Sequence, residues 1–423
     1  MPTATTFPTI RHKIAGVSVA DLASQFGTPT YVYDSNIIVQ RISDLQQFDV
    51  IRYAQKANSN LAILDLVREH GVVVDSVSAG EIHRALAAGY KIGEEPPQVV
   101  YTADIFDRET LDLVVERDVP CCVGSADMID QLGQRAPGRG VTLRINPGFG
   151  HGHSQKTNTG GDQSKHGIWY EQLDDCCQRA AQYDIKVTGL HMHIGSGTDL
   201  EHLAQVCGSM ETVAKSVGST VTSISAGGGL PIAYSEDQSF IDLDRYYELW
   251  NATRNRLQKE FGHDISLEIE PGRYLSAESG YLITEVRAVK TMGDNLFYLV
   301  DAGFNNLARP ILYGAYHPMS IAPSDGAEDR PHQDVVIGGP LCESGDIFTQ
   351  EEGGFVCKRS LPVASVGDLL VIECAGAYGS VMGSNYNSKP LAAEVLLRDG
   401  KPHLVRERQT IGDLIGKESI PSY

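Results

Sequence analysis

The stretch that decides the fold runs from residue 186 to residue 230. It opens with KVTGLHMH (186–193), an apolar run with β-branched character. It continues through LEHLAQVCGSMETVAKSV (200–217). There Leu200, Leu203, Val206, Met210, Val213, Ala214 and Val217 recur mostly at steps of three and four, the spacing of one helix face. It closes with VTSIS (221–225), a second short apolar run, followed by AGGGL (226–230). This is a strand, a helix and a strand. A helical crossover of that length joins strands that run parallel.

The same unit repeats outward in both directions. Apolar or β-branched runs fall at 50–54, 72–77, 98–102, 120–123, 141–145, 186–193, 221–225 and 265–269, with amphipathic segments between them. One such segment, 61–70, follows Asn58-Ser59-Asn60, which supplies helix-capping side chains. Strict alternation over about 225 residues predicts a closed (β/α)8 barrel of the TIM type. An open dinucleotide-binding sheet is disfavoured, because its first strand would lead into GxGxxG and here leads into Gln55-Lys56-Ala57-Asn58. Beyond about 280 the rhythm changes. Short strand-like runs at 281–291, 296–301, 334–338, 369–373 and 393–397 alternate with Gly- and Pro-rich turns. Together with Tyr31-Val32-Tyr33 they predict a second, β-sandwich or barrel-like domain. The expected division is a barrel over 46–280 and a β domain made of 1–45 and 281–423.

Composition narrows the function. Lys and Arg number 35 against 54 Asp and Glu, a formal net charge of −19. That balance argues against a nucleic-acid partner, whose phosphates demand excess positive charge. No apolar run reaches the length of a membrane-spanning helix, so no membrane partner is expected. The first fourteen residues lack a signal-peptide pattern, and the eight cysteines show no zinc-ligand spacing. Reduced thiols in a cytoplasm, and no metal, are the expectation.

A barrel carries its chemistry at the C-terminal ends of its strands. The first strand ends at Lys56, an amine placed at the barrel mouth, where desolvation would make it nucleophilic toward an aldehyde. The sixth ends in His191-Met192-His193, whose period-two spacing puts both rings on one face. With no third ligand in register, a flat imidazole there suits stacking on an aromatic cofactor. The seventh ends in Gly227-Gly228-Gly229, backbone suited to an anion such as phosphate. The eighth ends Glu270-Pro271-Gly272-Arg273, a carboxylate able to hold a ring nitrogen protonated and a guanidinium able to clamp an oxyanion. Imine-forming lysine, stacking histidine, phosphate nest and pyridinium partner together describe a pyridoxal 5′-phosphate site. In the β domain, Cys342 and Glu343 sit in a tight GGPLCESGD loop (338–346), a thiol for proton donation beside a carboxylate for an ammonium group. Arg309 and Tyr313 are suited to a carboxylate, and Tyr378 lies in a Gly-framed turn.

Longer motifs give these residues a family. YAQKAN (53–58), HMHIGSG (191–197), GGGL (227–230), EPGR (270–273), DAGFNNLARPILYGAYH (301–317), GPLCESGD (339–346) and GAYGSVMGSNYNSKP (376–390) occur in order across nearly the whole chain. In this it resembles the fold-type III, alanine-racemase-like pyridoxal-phosphate enzymes, and among them the diaminopimelate decarboxylases. The resemblance implies decarboxylation of meso-2,6-diaminopimelate to L-lysine. The alternative is another basic amino-acid or carboxypolyamine decarboxylase, acting on ornithine, arginine or carboxynorspermidine. It implies that Lys56 carries the cofactor as an imine and that His193 stacks on it. Ser196, Gly227, Gly228, Gly229, Pro271, Gly272 and Arg273 would surround it, Glu270 would pair its ring nitrogen, and Tyr378 would touch cofactor and substrate. Arg273, Arg309, Tyr313 and Glu343 would grip the substrate, with Cys342 the proton donor. It implies further a homodimer in which Cys342 and Glu343 complete the partner's site. Two departures are mild: Met382-Gly383-Ser384 where a second serine is common, and Lys389 where arginine is common.

Overall fold

The computed structural model describes residues 7–150, 160–193, 199–238, 241–351 and 353–423. Within it the chain divides into two units. One comprises the described residues of 39–231 and 241–275. The other comprises the described residues of 7–38, 232–238 and 276–423.

The first unit is a closed ring of eight parallel strands. They are Val50–Ala54, Val73–Ser76, Val99–Ala103, Cys121–Val123, Gly140–Asn146, Lys186–His191, Ser223–Ser225 and Ser266–Ile269. Closure comes where Glu268 pairs with Val50 and Ile269 with Ile51. A partly buried ion pair reinforces that seam: Arg52 donates from Nε (3.2 Å) and Nη2 (3.0 Å) to Glu268 Oε2. Glycine at 189 is required by close strand approach, since a Cβ there would lie 2.4 Å from Thr142 Oγ1 and 2.8 Å from Ser223 Oγ. The helices start where short polar side chains cap them. Asn60 accepts from the Ala62 N–H, Ser78 from Glu81, Asp107 from Thr110 and Asp242 from Arg245. The helix Leu200–Val217 buries Leu203, Val206, Cys207, Met210, Val213 and Ala214, the face its spacing indicates. Leu190, Ile224 and Leu267 are fully buried on adjacent strands, so truncating any one to alanine costs about 2–5 kcal/mol. No described helix is long and apolar enough to cross a membrane.

The second unit is built on strands. One path runs Arg359–Pro362, His332–Gly338, Asn295–Val300, Gly280–Met292, Thr30–Asp34, Ala393–Arg398 and Lys401–Arg406. The N-terminal strand Thr30–Asp34 is central. It pairs antiparallel with Gly280–Met292 (Tyr33 opposite Gly280) and parallel with Ala393–Arg398 (Val32 opposite Val395). Ile14, Val19, Leu22, Val32, Ile283, Val371, Val395 and Leu397 form its core. Three strands of this unit carry no β-rich run in the sequence: Met319–Ala322, Arg359–Pro362 and Lys401–Arg406. The last is an edge strand holding Pro402, charged residues and half-exposed Leu404. Edge positions tolerate such residues because one side needs no ladder partner.

Candidate active site

In the barrel unit, polar side chains converge at the C-terminal strand ends. Lys56 sits in a single helical turn, Gln55–Ala57, directly after the first strand. The turn is anchored on both sides. Gln55 Nε2 donates to Ser76 Oγ (2.7 Å), and Tyr53 Oη donates to the Asn58 carbonyl (3.0 Å). Lys56 itself is exposed, between buried Gln55 and Ala57. Asp75, next to last in the second strand, is buried, and its carboxyl is pushed up to about 6. Burial is the main cause and the Glu270 charge adds to it, against the lowering effect of Lys56. The preceding run of valines in VVVDS (72–76) hides this acid from pattern reading.

Glu270 is the centre of the cluster. It lies one residue past the eighth strand and is 9% exposed. Its Oε2 accepts from His191 Nε2 at 2.8 Å, and its Oε1 accepts from Ser225 Oγ at 2.9 Å. Burial alone would raise its pKa. The His191 charge and hydrogen bond, with Ser225 and then Arg52, outweigh burial and hold it at about 2. The donors are set by strand register, for His191 lies opposite Ser225, and Ser225 opposite Glu268. The His191–His193 spacing points to one face, and the rings are near parallel, 16° apart with centroids 6.4 Å apart. Their roles differ. His191 holds the carboxylate, while His193 Nδ1 accepts the Gly228 N–H at 2.8 Å. Burial first, then the positive charges of Arg144, Lys56 and His191, hold His193 far below its ordinary range, so the ring is neutral. The glycines are needed here. A Cβ on Gly227 would meet Met192 O at 2.7 Å, one on Gly228 would meet Glu270 O at 2.5 Å, and Gly227 has φ +63°. Ser196 lies outside the described residues. No group of three or more potential metal ligands exists among those described.

These residues fit pyridoxal phosphate on chemical grounds. The set contains an amine at a strand end, a neutral flat imidazole and glycine backbone with no room for side chains. It also contains a carboxylate kept ionised although buried.

The fifth strand carries a further anchor. Asn146 at its end accepts from the N–H groups of Gly148 (3.1 Å) and Gly161 (3.0 Å), and donates to the carbonyls of Gly161 (3.0 Å) and His166 (3.2 Å). Asp104 accepts from His166 Nδ1 (2.6 Å) and the Gly167 N–H (2.8 Å). Both ends of the Gly-rich insertion after this strand are thereby tied to the barrel; its residues 151–159 lie outside the described ones.

The β unit holds the other group of expected residues. Arg309 begins the helix Arg309–Tyr313 and is 7% exposed. Its Nη1 donates to Tyr234 Oη (3.1 Å) and to His317 Nε2 (2.8 Å). His317 in turn donates from Nδ1 to the Glu373 carbonyl (2.9 Å). The Arg309 guanidinium lies 5.0 Å from the Tyr234 ring centroid. Tyr234 and His317 were not legible as partners, because Tyr234 stands between barrel strands in sequence but belongs to the β unit in space. Tyr313 is half-buried at the other end of the same short helix. Tyr378 holds φ +56°, an uncommon strained backbone for a non-glycine residue.

The loop at 338–346 is organised around buried Asp346. Its carboxylate accepts from the backbone N–H of Leu341 (2.8 Å) and of Phe304 (2.7 Å), and its carbonyl accepts from Gly339 (2.8 Å). The loop's outer residues, Cys342 and Glu343, are exposed. Asn387 Oδ1 accepts from the Cys342 N–H at 2.7 Å.

Eight-stranded barrel, separate sheet unit and strand-end cluster define a pyridoxal-phosphate enzyme of the decarboxylase class. In agreement, the family of pyridoxal-dependent decarboxylases, through its pyridoxal binding domain, matches residues 36–277. Within that class the chain belongs to the diaminopimelate decarboxylase family. It is 54% identical to the diaminopimelate decarboxylase of Escherichia coli (strain K12) over 401 residues, 94% of this chain and 96% of the relative. A crystal structure of diaminopimelate decarboxylase superposes with a TM-score of 0.92 at 54% identity, covering 94% of this chain and 95% of that one. The Helicobacter pylori diaminopimelate decarboxylase complexed with L-lysine gives a TM-score of 0.84 at 31% identity, covering 94% and 98%.

Proposed function

We propose that this chain decarboxylates meso-2,6-diaminopimelate to L-lysine and CO2. The observation that carries the reading is Glu270, a buried carboxylate held ionised by His191 and Ser225 at the end of a barrel strand. Such a group matches a protonated pyridine nitrogen. Bound pyridoxal phosphate supplies the electron sink that accepts charge when the carboxylate leaves Cα. The protein supplies the rest. Lys56 binds the cofactor aldehyde, and His193 offers a neutral face to the ring. Gly227, Gly228, Gly229, Gly272 and Arg273 would enclose the phosphate end, and Ser196 and Pro271 would also contribute to cofactor binding. Cys342 holds the proton returned to Cα, and Tyr378 borders both ligands. Arg273, Arg309 and Tyr313 take substrate carboxylate, and Glu343 takes the distal ammonium.

The second amino-acid head of diaminopimelate is what separates it from ornithine, arginine or carboxynorspermidine. Arg309, buried and oriented by Tyr234 and His317, suits a distal carboxylate and is mismatched to a bare ammonium tail. The exposed Cys342–Glu343 pair on its pinned loop supports a homodimer in which each loop completes the partner's site. All eight cysteines are unpaired in the described structure, which supports a cytoplasmic setting. The deciding experiment measures CO2 release from meso-diaminopimelate against lysine, ornithine, arginine and carboxynorspermidine. Release from diaminopimelate alone supports the reading; preference for any of the others overturns it. Mixing Lys56→Ala with Cys342→Ala subunits tests sharing. Activity recovered after verified exchange supports a shared site, and none recovered refutes it.

A further inference from the structure

The contact between His191 and Glu270 has a feature that folding stability does not explain. His191 is 1% exposed. Its Nε2 faces Glu270 Oε2 at 2.8 Å, but its Nδ1 is buried with no hydrogen-bond partner among the described residues. A buried polar atom left unpaired is destabilising, so an apolar residue would pack there at less cost. The one hydrogen bond its ring makes among the described residues is the one to Glu270.

The direction of that bond is fixed. Glu270 is ionised, so the nitrogen 2.8 Å from its oxygen must carry the proton. Ser225 is oriented in the same way, because its Oγ already accepts the Gly227 N–H (3.1 Å) and its own proton is left for Glu270 Oε1. Both carboxylate oxygens thus receive a donor from neighbouring strands at one level of the barrel. The other ionisable groups that act on this site are Arg52, Asp75, Cys122, His193, Lys56, Arg144 and Tyr246.

We propose that His191, assisted by Ser225, is a positioning residue for the cofactor ring: the two donors fix the plane of Glu270 and weaken it as a base, so it accepts the ring N–H without taking the proton. A more basic carboxylate would draw that proton away and leave the ring a poorer acceptor of charge. His191 acts through Glu270 and touches neither reacting carbon. The inference rests on the pyridoxal-phosphate reading above, but its first readout does not.

That readout is the titration of Glu270 in the cofactor-free protein, followed by the infrared band of its protonated carboxyl with Glu270→Gln as the blank. His191→Phe, which keeps a ring and removes the donor, raises the proton affinity of Glu270 at least tenfold. His191→Gln, which retains an N–H, restores most of it. In the holoenzyme, His191→Phe weakens cofactor retention by about ten- to hundredfold, the range for a hydrogen bond to a charged group. It also moves the pH dependence of the bound chromophore. In a Glu270→Gln background the same change has no further effect on either. An unchanged Glu270 titration overturns the proposal, as does an equal loss of cofactor in the Glu270→Gln background. Should His191→Phe fail to fold, Ser225→Ala removes the second donor and must shift the titration in the same direction by less; no shift there refutes the proposal. A parent protein that binds no cofactor yet shows the titration shift would instead refute the reading it rests on.

Discussion

The barrel unit and the β unit solve the problem of presenting polar groups in opposite ways. In the barrel, Asp75, His191, Ser225 and Glu270 are buried and bound or charge-coupled to one another. In the β unit, Cys342 and Glu343 are exposed, and the buried group beneath them, Asp346, is spent on backbone N–H groups. A buried network fixes charge; a pinned loop fixes position while leaving its side chains accessible. The first arrangement suits a resident cofactor, the second a ligand or chain that arrives.

The contrast fails if changes in the two units give the same phenotype. The largest expected effect is that of Lys56→Ala, which removes the covalent cofactor signal in the visible spectrum and lowers turnover by several orders of magnitude. A retained signal would sink the assignment. Cys342→Ala is expected to lower kcat by about 10²–10⁴-fold, the usual contribution of a proton donor, while the spectrum stays that of the parent. Spectral loss there would erase the distinction between the units. Asp346→Asn replaces one acceptor oxygen by a donor facing a backbone N–H. It should destabilise the protein by about 2–3 kcal/mol in urea unfolding without moving the cofactor spectrum.

The smallest effect concerns acid. The Asp75 carboxyl lies at about 6 in the folded barrel against an ordinary 3.8, so the folded state binds a proton there that the unfolded chain does not. Stability from this group therefore rises as pH falls from above 6 toward 4, by on the order of 1–3 kcal/mol. Glu270 works oppositely: held at about 2, its contribution is present above 4.5 and is lost as pH falls from there toward 2. Unfolding of cofactor-free Asp75→Asn between pH 7 and 4.5 should show a flatter profile than the parent. An identical profile would place the cost of burial elsewhere.

The barrel was legible because its signals are local. Each strand lies where β-branched runs stand, and Asn60 caps the helix it precedes. Lys56, His193, Gly227 and Glu270 stand at strand ends, where barrels keep their chemistry. What could not be read was pairing at a distance. The spacing of His191 and His193 gives a shared face, yet nothing local says that one ring serves a carboxylate 79 residues further on. Likewise Tyr234 and His317 meet Arg309 only through tertiary placement. In the β unit, Met319–Ala322 and Lys401–Arg406 form strands because a neighbour supplies the ladder, which overrides their weak intrinsic preference.

The central position of Thr30–Asp34 has a consequence for the order of synthesis. As the chain emerges, the barrel's last strand is complete at Ile269, so its ring can close early. Thr30–Asp34 must wait for one neighbour until residue 280 and for the other until residue 393. From the time it is made until residue 280 follows, this strand is therefore an unpaired edge. A ribosome stalled after the barrel would hold a closed ring on one side and an aggregation-prone strand on the other, and only the last stretch of sequence silences it.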